Sequence, residues 1–294
     1  MSVLSLKPST RIITFIGWLP VIYAFAVIGY PFVSLIYYSF FDYDIGGVPI
    51  FNGVNNFVTL FTDPVFYKAL YITSIYTVAA LAAEFALGIL IGYLLFRIPY
   101  GKTVFAMIMI LPLTIPQVIT GIIWKILFDP SYGHVNYFLS LIGINGPLWL
   151  SRPTYALIAA IITDIWQWTS FVALVAYAGF SSLQRELIQA AFVDGASEWK
   201  TLKDVMIPKI APLLYIIFLL RLVDCLKVFD NVYSMTGGGP GTATTTLSIF
   251  NYLNVMTFYH IGYGCTIGLV FLLLIILITN ILMKKIGPVL WGEV

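Results

Sequence analysis

The sequence predicts an all-α, polytopic membrane protein with six transmembrane helices, because it is apolar, poor in charge and divided into six long apolar stretches. Of its 294 residues, 60% are hydrophobic and only 10% are charged, whereas soluble domains carry about 25% charged residues. Its mean hydropathy is +0.96. A helix needs roughly 20 apolar residues to cross a bilayer core about 30 Å thick, so this length accommodates six helices and no large soluble domain. We therefore expect a single transmembrane domain over residues 1–294.

Prolines inside the first and third predicted spans are expected to bend or break them. Pro20 and Pro31 can kink the first span, and Pro112 and Pro116 can break the third. Polar or Gly- and Pro-rich segments separate the spans, among them residues 183–209 and 234–260. The predicted spans are residues 12–38, 68–96, 103–127, 154–182, 210–229 and 262–283.

Lys and Arg residues are unevenly distributed between the two sides of the predicted membrane. Cytoplasmic flanks of transmembrane helices retain positive charge. One side has only Lys68, Lys125, Arg152 and Lys227, and Arg221 lies inside a span. We therefore predict a multi-pass protein of the cell membrane whose termini and residues 183–209 are cytoplasmic. The basic residues on the terminal side are Lys7, Arg11, Arg97, Lys102, Arg185, Lys200, Lys203, Lys209, Lys284 and Lys285.

The cytoplasmic loop is predicted to contain two short amphipathic helices. Its sequence from Arg185 to Pro208 is RELIQAAFVDGASEWKTLKDVMIP. Gly195, which follows Asp194, can adopt the left-handed conformation that ends a helix, and Ser197 can cap the next one. Amphipathicity alone fits equally well a loop that lies on the lipid headgroups.

This stretch resembles the coupling loop of ABC importer permeases. The family pattern is Glu-Ala-Ala, three residues, Gly, nine residues, then aliphatic, any residue, aliphatic and Pro. In this sequence Gln189 replaces the Glu, which removes a charge from that position. The resemblance implies a type I ABC importer permease fold and a loop that docks on an ATP-binding subunit. The residues that match are Gln189, Ala190, Ala191, Gly195, Val205, Ile207 and Pro208. The implied ATPase-coupling residues are Glu186, Gln189, Ala190, Ala191, Asp194, Gly195, Ala196 and Pro208.

Three further motifs are similar to the carbohydrate-uptake branch of these permeases, in the compact form of its first permease subunit. They are WKILFDPSYGHVN from Trp124, DIWQWTSF from Asp164 and FDNVYSMTGGGPGTATTTL from Phe229. The glycine run in the last motif lacks the Lys-Ser/Thr of a phosphate-binding loop, so we expect no ATP site in this chain. The resemblance implies a non-catalytic subunit without cofactor or metal, which forms half of a sugar path. The implied partners are a second permease subunit, a dimer of ATP-binding subunits that holds ATP and Mg, an extracytoplasmic sugar-binding protein and membrane lipid.

Ionisable side chains inside predicted spans are costly and usually face a helix bundle or a water-filled cavity. Here they are Glu84, Asp164, Arg221 and Asp224, with Lys227 near the end of a span. Asp164 and Arg221 both fall near the middle of their spans and could pair. Arg221, Asp224 and Lys227 recur every three residues, which places them along one stripe of the fifth span. These charges either neutralise one another between helices or line the sugar path, and the sequence leaves both interpretations open.

A sugar site needs aromatic faces and a few polar groups for the hydroxyls. Gln167, Tyr252 and Asn254 are weaker candidates of this kind. The predicted substrate-path residues are Asp164, Trp166, Trp168, Tyr177, Arg221, Asp224, Tyr233 and Asn251.

Glu84, Gly88 and Gly92 share one face of the second span, and their spacing predicts close helix packing, which we assign to a contact with another subunit. Cys225 and Cys265 are interpreted as small apolar packing residues.

Two other classes of protein compete with the permease. A gradient-driven secondary transporter or channel is the main alternative, although we detect no inverted repeat. A membrane enzyme is less favoured, because His134 and His260 are isolated in predicted outer loops and no paired catalytic aspartates are evident. A net charge of +2, with basic residues scattered, predicts no nucleic-acid partner.

Overall fold

The computed structural model describes residues 10–290, and most of these residues are helical. Lys7, which entered the charge count, lies outside the described residues, as does the side chain of Arg11. Short π-helical segments at Phe25–Gly29, Leu202–Met206 and Leu253–Thr257 interrupt the α-helices. The α-helices are α1 (Thr10–Ala24), α2 (Tyr30–Ser39), α3 (Asn55–Thr62), α4 (Pro64–Arg97), α5 (Lys102–Thr114), α6 (Gln117–Leu127), α7 (His134–Leu141), α8 (Pro153–Ser181), α9 (Arg185–Val193), α10 (Glu198–Thr201), α11 (Ile207–Leu226), α12 (Asp230–Thr236), α13 (Leu247–Tyr252) and α14 (Ile261–Leu290).

Within residues 10–290, five helical stretches are long and apolar enough to cross a membrane, and the bent pair of α5 and α6 raises the count to six if it crosses as one. The two helices of that pair meet at 96°, so the third predicted span is a broken helix and not a straight one. The all-α membrane fold class is confirmed. The five stretches are Gly17–Ser39, Pro64–Arg97, Pro153–Ser181, Glu198–Thr236 and Ile261–Lys285.

The chain forms two compact units, and the first combines the described part of residues 1–62 with Asn251–Leu272. A π-helical segment at Phe25–Gly29 lies between Pro20 and Pro31, the two prolines that were predicted to kink the first span. A proline nitrogen has no hydrogen to donate, so the regular helical pairing is lost at each proline.

A small antiparallel hairpin follows α2 in this unit. Its strands are β1 (Phe41–Asp42) and β2 (Ile50–Phe51), with Phe41 opposite Phe51. The Asn56 side-chain amide donates to the carbonyl oxygens of Ser39 and Phe41, at 3.1 and 2.9 Å. His260, predicted to be isolated, lies 2.8 Å from Asp44 through its Nδ1 atom.

The second unit combines Asp63–Phe250 with the described part of residues 273–294. Helices α4 and α8 pack closely in it because glycines line their contact. A Cβ on Gly88 would lie 2.6 Å from a Val172 side-chain carbon, and one on Gly92 would lie 2.7 Å from the carbonyl oxygen of Ala173. The predicted close packing is therefore confirmed, but its assignment to another subunit is wrong, since this face meets α8 of the same chain.

Residues 234–250 are folded, although the sequence predicted a polar separating segment there, and residues 244–250 are buried apart from the half-buried Ser248. Threonine hydroxyl groups form hydrogen bonds with backbone groups that have no backbone partner in this glycine-rich turn. Thr246 Oγ1 donates to the Val228 carbonyl oxygen at 3.0 Å, and Thr73 Oγ1 accepts from the Leu247 amide at 2.9 Å. The prediction of one domain over residues 1–294 stays a prediction.

We expect Gly92→Ala to lower the midpoint of thermal unfolding in detergent, because its methyl group has no space against α8. Overpacking a close contact costs about 1–3 kcal/mol, more than the roughly 1 kcal/mol that alanine gains over glycine in helix propensity. Gly17→Ala is the matched control, since nothing lies within 4 Å of a Cβ at that helical position. Equal midpoints for the two variants would contradict this account of the α4–α8 contact.

Candidate functional site

Three helices bring their charged residues together in a buried ion cluster, formed by Glu84 of α4, Asp164 of α8 and Arg221 of α11. Arg221 Nε lies 3.0 Å from Glu84 Oε2, and Arg221 Nη2 lies 2.8 Å from Glu84 Oε1 and 2.9 Å from Asp164 Oδ2. All three side chains are at most 3% exposed. The predicted pair of Asp164 and Arg221 is confirmed. Glu84, predicted to be a charge inside a span but not to join this pair, is a further partner of Arg221.

Two other side chains complete the surroundings of Arg221. Its guanidinium carbon lies 4.2 Å from the ring centre of Trp168, which is a cation–π arrangement. Its Nη2 atom lies 3.2 Å from Cys225 Sγ, so the interpretation of Cys225 as a purely apolar packing residue is wrong. Glu84, Asp164 and Cys225 are close enough for a metal site, but the guanidinium already contacts all three.

A polar cleft of about 290 Å³ opens beside the ion cluster. It contains four of the predicted substrate-path residues: Asp164, Trp168, Arg221 and Asp224. Asp224 and Lys227 are about half exposed and lie 3.9 Å apart. The predicted stripe of Arg221, Asp224 and Lys227 therefore faces one cleft, although only Arg221 is buried. The residues that line the polar cleft are Gln117, Asp164, Trp168, Arg221, Asp224, Lys227, Val228, Phe229 and Asp230.

The other four predicted path residues do not line this cleft. Trp166 packs edge-to-face on Trp124, with ring centres 5.7 Å apart. Tyr233 stacks on Phe229, and Tyr177 is half-buried on α8. Asn251 belongs to the first unit, where its Oδ1 atom is buried without a hydrogen-bond partner among the described residues.

The break between α5 and α6 brings Gln117 to the polar cleft, a residue that was not among the predicted substrate-path residues. Pro116 precedes α6, and Gln117 is the first residue of that helix. Gln167, proposed as a weak sugar ligand, instead donates through Nε2 to the Ile115 carbonyl oxygen at 2.7 Å. It thereby satisfies a carbonyl group that the break leaves without a helical partner. A polar residue directly after a helix-breaking proline was the signal that could have identified Gln117.

The loop at residues 183–209 turns at Gly195 as predicted. Gly195 has φ +81°, and its amide donates to Phe192 O at 3.0 Å, while the Ala196 amide donates to Ala191 O at 3.0 Å. This pair of hydrogen bonds is the Schellman arrangement that ends a helix at a left-handed glycine. The Ser197 side chain caps α10 by accepting from the Lys200 amide, which confirms the predicted cap.

The loop presents different residues to the rest of the protein and to its surroundings. Leu183 and Ile188 pack against a buried cluster that includes Phe180 of α8 and Met206. On the other side, apolar side chains remain exposed, with Val193 87% and Trp199 68% accessible. Among the predicted coupling residues, Ala191 and Ala196 are half-buried, and the exposed ones are Glu186, Gln189, Ala190, Asp194, Gly195 and Pro208.

The second helix of the loop continues directly into the fifth span. The sequence predicted instead that the span begins separately, at residue 210. Helix α10, the π-helical segment Leu202–Met206 and α11 form one uninterrupted helical stretch. Pro208 lies inside this stretch, at the second position of α11. The π-helical segment precedes it, where the Ile207 amide donates to the Leu202 carbonyl oxygen, so the wider turn accommodates a residue that cannot donate.

An ion pair joins this stretch to α4 at the loop end of both helices. The Arg97 side chain, at the last position of α4, contacts the Glu198 carboxylate, at the first position of α10. Both groups are about half exposed, so the pair contributes little to stability. The contact shows that the start of α10 lies beside the end of α4.

The comparison with protein families accounts for this arrangement. Residues 84–291 match the model of the binding-protein-dependent transport system inner membrane component. The chain therefore belongs to this family of permeases, which are multi-pass proteins of the inner membrane, and the match spans the ion cluster, the polar cleft and the loop.

Individual relatives agree with the family match. The chain is 32% identical to the sulfoquinovosyl glycerol transport system permease protein SmoG of Agrobacterium fabrum, over 88% of this chain and 85% of that protein. It is also 32% identical to the trehalose/maltose transport system permease protein MalF of Thermococcus litoralis, over 80% and 79%. None of the comparisons supports a gradient-driven transporter or a channel.

Solved structures confirm the type I ABC importer permease fold. A chain of a bacterial alginate ABC transporter, in complex with alginate pentasaccharide-bound periplasmic protein, superposes with a TM-score of 0.81 at 24% identity, covering 95% of each chain. A second structure of a bacterial ABC transporter, described as importing alginate, gives a TM-score of 0.79 at 25% identity, covering 93% of this chain and 96% of that chain.

We expect Arg221→Met to destabilise the protein strongly, because it leaves two buried carboxylates without the cation that both contact. Breaking a buried ion pair by removing one partner costs about 3–5 kcal/mol. Lys227→Met is the matched control, since its ion pair is half exposed and such pairs contribute about 1 kcal/mol or less. The midpoint of thermal unfolding in detergent measures both effects, and Glu84→Gln should recover part of the loss when combined with Arg221→Met. Similar midpoints for the two single variants would refute the importance of the cluster.

Proposed function

We propose that this chain is one permease subunit of an ATP-driven sugar importer, in which it forms half of the translocation path. The names of the relatives support sugars as the substrate class. The observation that carries the proposal is the uninterrupted helical stretch from the loop to the polar cleft, which begins at Glu198 and includes Arg221 and Asp224. One structural element thus connects a surface loop with the candidate sugar path.

This stretch can transmit a movement of the loop to the middle of the protein. At 1.5 Å per residue, Glu198 and Arg221 are separated by roughly 35 Å along the helix axis. Helix α4 contacts the same stretch at two places. Arg97 pairs with Glu198 at the loop end, and Glu84 pairs with Arg221 in the middle of the protein. A displacement of the loop would therefore move α11 and α4 together, and with them one wall of the polar cleft.

The loop would receive that movement from a separate ATP-binding subunit, which holds ATP and Mg. Exposed apolar side chains such as Val193 and Trp199 offer a docking surface, and Ala190 leaves the backbone of α9 accessible. Under this proposal the chain itself is non-catalytic, and the loop and both termini are cytoplasmic. The family resemblance assigns the coupling to Glu186, Gln189, Ala190, Ala191, Asp194, Gly195, Ala196 and Pro208.

A second permease subunit would complete the path. Asp224 and Lys227 are about half exposed on a helix that spans the membrane, and charged groups avoid lipid at this depth. Ile216 and Leu220 are exposed on the same helix. We infer that this face of α11 meets the second permease across the sugar path, and that an extracytoplasmic binding protein delivers the sugar from outside.

The polar cleft contains the groups that a sugar requires. Trp168 and Phe229 provide aromatic faces. Asp224 and Asp230 can accept hydrogen bonds from sugar hydroxyl groups, and Gln117 can both donate and accept them. Alternating access would expose this cleft first to the outside and then to the cytoplasm as the helices rock.

Gly195→Pro tests the coupling role of the loop. Proline fixes φ near −65°, so it cannot adopt the +81° of Gly195, and its nitrogen cannot donate to Phe192. In proteoliposomes with the partner subunits, we expect ATP hydrolysis to continue while most ATP-dependent sugar uptake is lost.

Gly143→Pro is the matched control for this experiment. Gly143 has φ +79°, its amide donates to Ser140 O at 3.0 Å, and nothing lies within 4 Å of a Cβ there. It should cost similar stability without uncoupling transport. Uptake that stays coupled in Gly195→Pro would overturn the assignment of the loop.

Asp224→Asn tests the assignment of the polar cleft to the sugar path. Hydrogen bonds to charged groups contribute about 1.5–3 kcal/mol, so we expect sugar uptake to fall about tenfold or more at limiting sugar. Asp42→Asn, an exposed carboxylate of β1 outside the cleft, should leave uptake unchanged. Co-purification of the partner subunits is measured in parallel, because a loss of assembly in Asp224→Asn would mean that Asp224 serves the subunit contact.

A further inference from the structure

A second cleft lies at the loop end of the protein and is lined by basic and apolar side chains. Its volume is about 430 Å³. We call it the basic cleft, and its lining includes the three cations Arg97, Lys102 and Arg185 but no carboxylate. The residues that line the basic cleft are Phe96, Arg97, Lys102, Ser181, Leu183, Arg185, Ile188 and Gln189.

The basic cleft lies where two transmembrane helices end. Helix α4 ends at Arg97 and α8 ends at Ser181, and both are among the stretches long and apolar enough to cross the membrane. Because both helices are long and apolar enough to cross a membrane, we expect the cleft at their ends to lie near the lipid headgroups. This position distinguishes it from a site for a ligand that arrives only from the aqueous phase.

The cations of the basic cleft are only partly neutralised by the protein. Arg97 contacts Glu198, and Lys102 Nζ donates to the Phe96 carbonyl oxygen at 3.2 Å, which uses one of its three hydrogens. Arg185 makes no ion pair or side-chain hydrogen bond with any other residue in the described range. Glu186 is its chain neighbour but does not line the cleft. A surplus of positive charge therefore remains on Lys102 and Arg185.

The apolar part of the lining is held in place by the core. Phe96, Leu183 and Ile188 pack against the buried cluster that includes Phe180 and Met206. The cleft thus combines a fixed apolar wall with two available cations, which is complementary to an amphiphile that carries a negative head.

We propose that the basic cleft binds the phosphate of an anionic phospholipid, such as phosphatidylglycerol, at the membrane surface. Lys102 and Arg185 donate to the phosphate oxygens, and Phe96, Leu183 and Ile188 contact the glycerol and the start of the acyl chains. Because Arg185 and Ile188 belong to α9, the bound lipid also holds this helix against the end of α4.

The test compares lipid binding by the purified full-length chain and by Lys102→Gln/Arg185→Gln. The chain in delipidated detergent is titrated with dioleoyl phosphatidylglycerol or dioleoyl phosphatidylcholine, and binding is followed by native mass spectrometry. We expect saturable binding of phosphatidylglycerol in preference to phosphatidylcholine. The double substitution should weaken it about 30-fold, from the typical contribution of two basic side chains at a membrane surface.

Lys284→Gln/Lys285→Gln is the control of equal charge. Both lysines are exposed on α14 and do not line the basic cleft, so this variant should bind within twofold of the unaltered chain. Equal weakening in the two double variants, or equal affinity for both lipids, would overturn the proposal.

A single substitution and a competitor complete the experiment. If Lys102→Gln/Arg185→Gln does not fold, Arg185→Gln alone should still weaken binding, and Arg185→Lys should restore it; unchanged binding in Arg185→Gln contradicts the proposal. Inorganic phosphate is added as a competitor. Displacement of the lipid by phosphate at equal concentration would identify a free-anion site instead, whereas little displacement supports a lipid headgroup.

Discussion

The structure of this permease depends on the burial of Arg221. A guanidinium at this depth is tolerated only with carboxylates that satisfy its charge and its hydrogen bonds. Glu84 and Asp164 supply these carboxylates from two different helices. Helices α4, α8 and α11 therefore have to meet at the same depth, each rotated so that its charged residue faces the other two helices. The glycines of α4 make this approach possible, because larger side chains would collide with α8.

The ion cluster also determines how the loop and the polar cleft are related. Arg221 lies on the same uninterrupted helical stretch that begins in the loop at Glu198, and Glu84 lies on the helix that ends at Arg97. The broken third span adds Gln117 to the cleft, while Gln167 satisfies a carbonyl group at the break. A membrane helix can be interrupted in this way only where other protein groups replace the lost hydrogen bonds.

Local features of the loop were predicted correctly, because their physical causes lie within a few residues. The left-handed turn at Gly195 and the cap at Ser197 follow from backbone sterics and from side-chain hydrogen bonds to adjacent amides. The continuous helix after Ser197 was missed. A proline at position 208 normally signals a helix start, and the π-helical segment that accommodates it has no clear sequence signature.

The sequence by itself determined the membrane class, the approximate spans, the turn of the loop and the charges that lie inside the spans, because hydropathy and spacing act along the chain. Only the tertiary structure decided that Glu84 pairs with Arg221, that Cys225 touches the same guanidinium and that the glycine face of α4 meets α8. These contacts join residues as far apart as 137 positions. They depend on how each helix is rotated and packed. In a membrane, lipid and neighbouring helices are equally apolar, so the pattern of apolar residues does not show which face of a helix meets another helix.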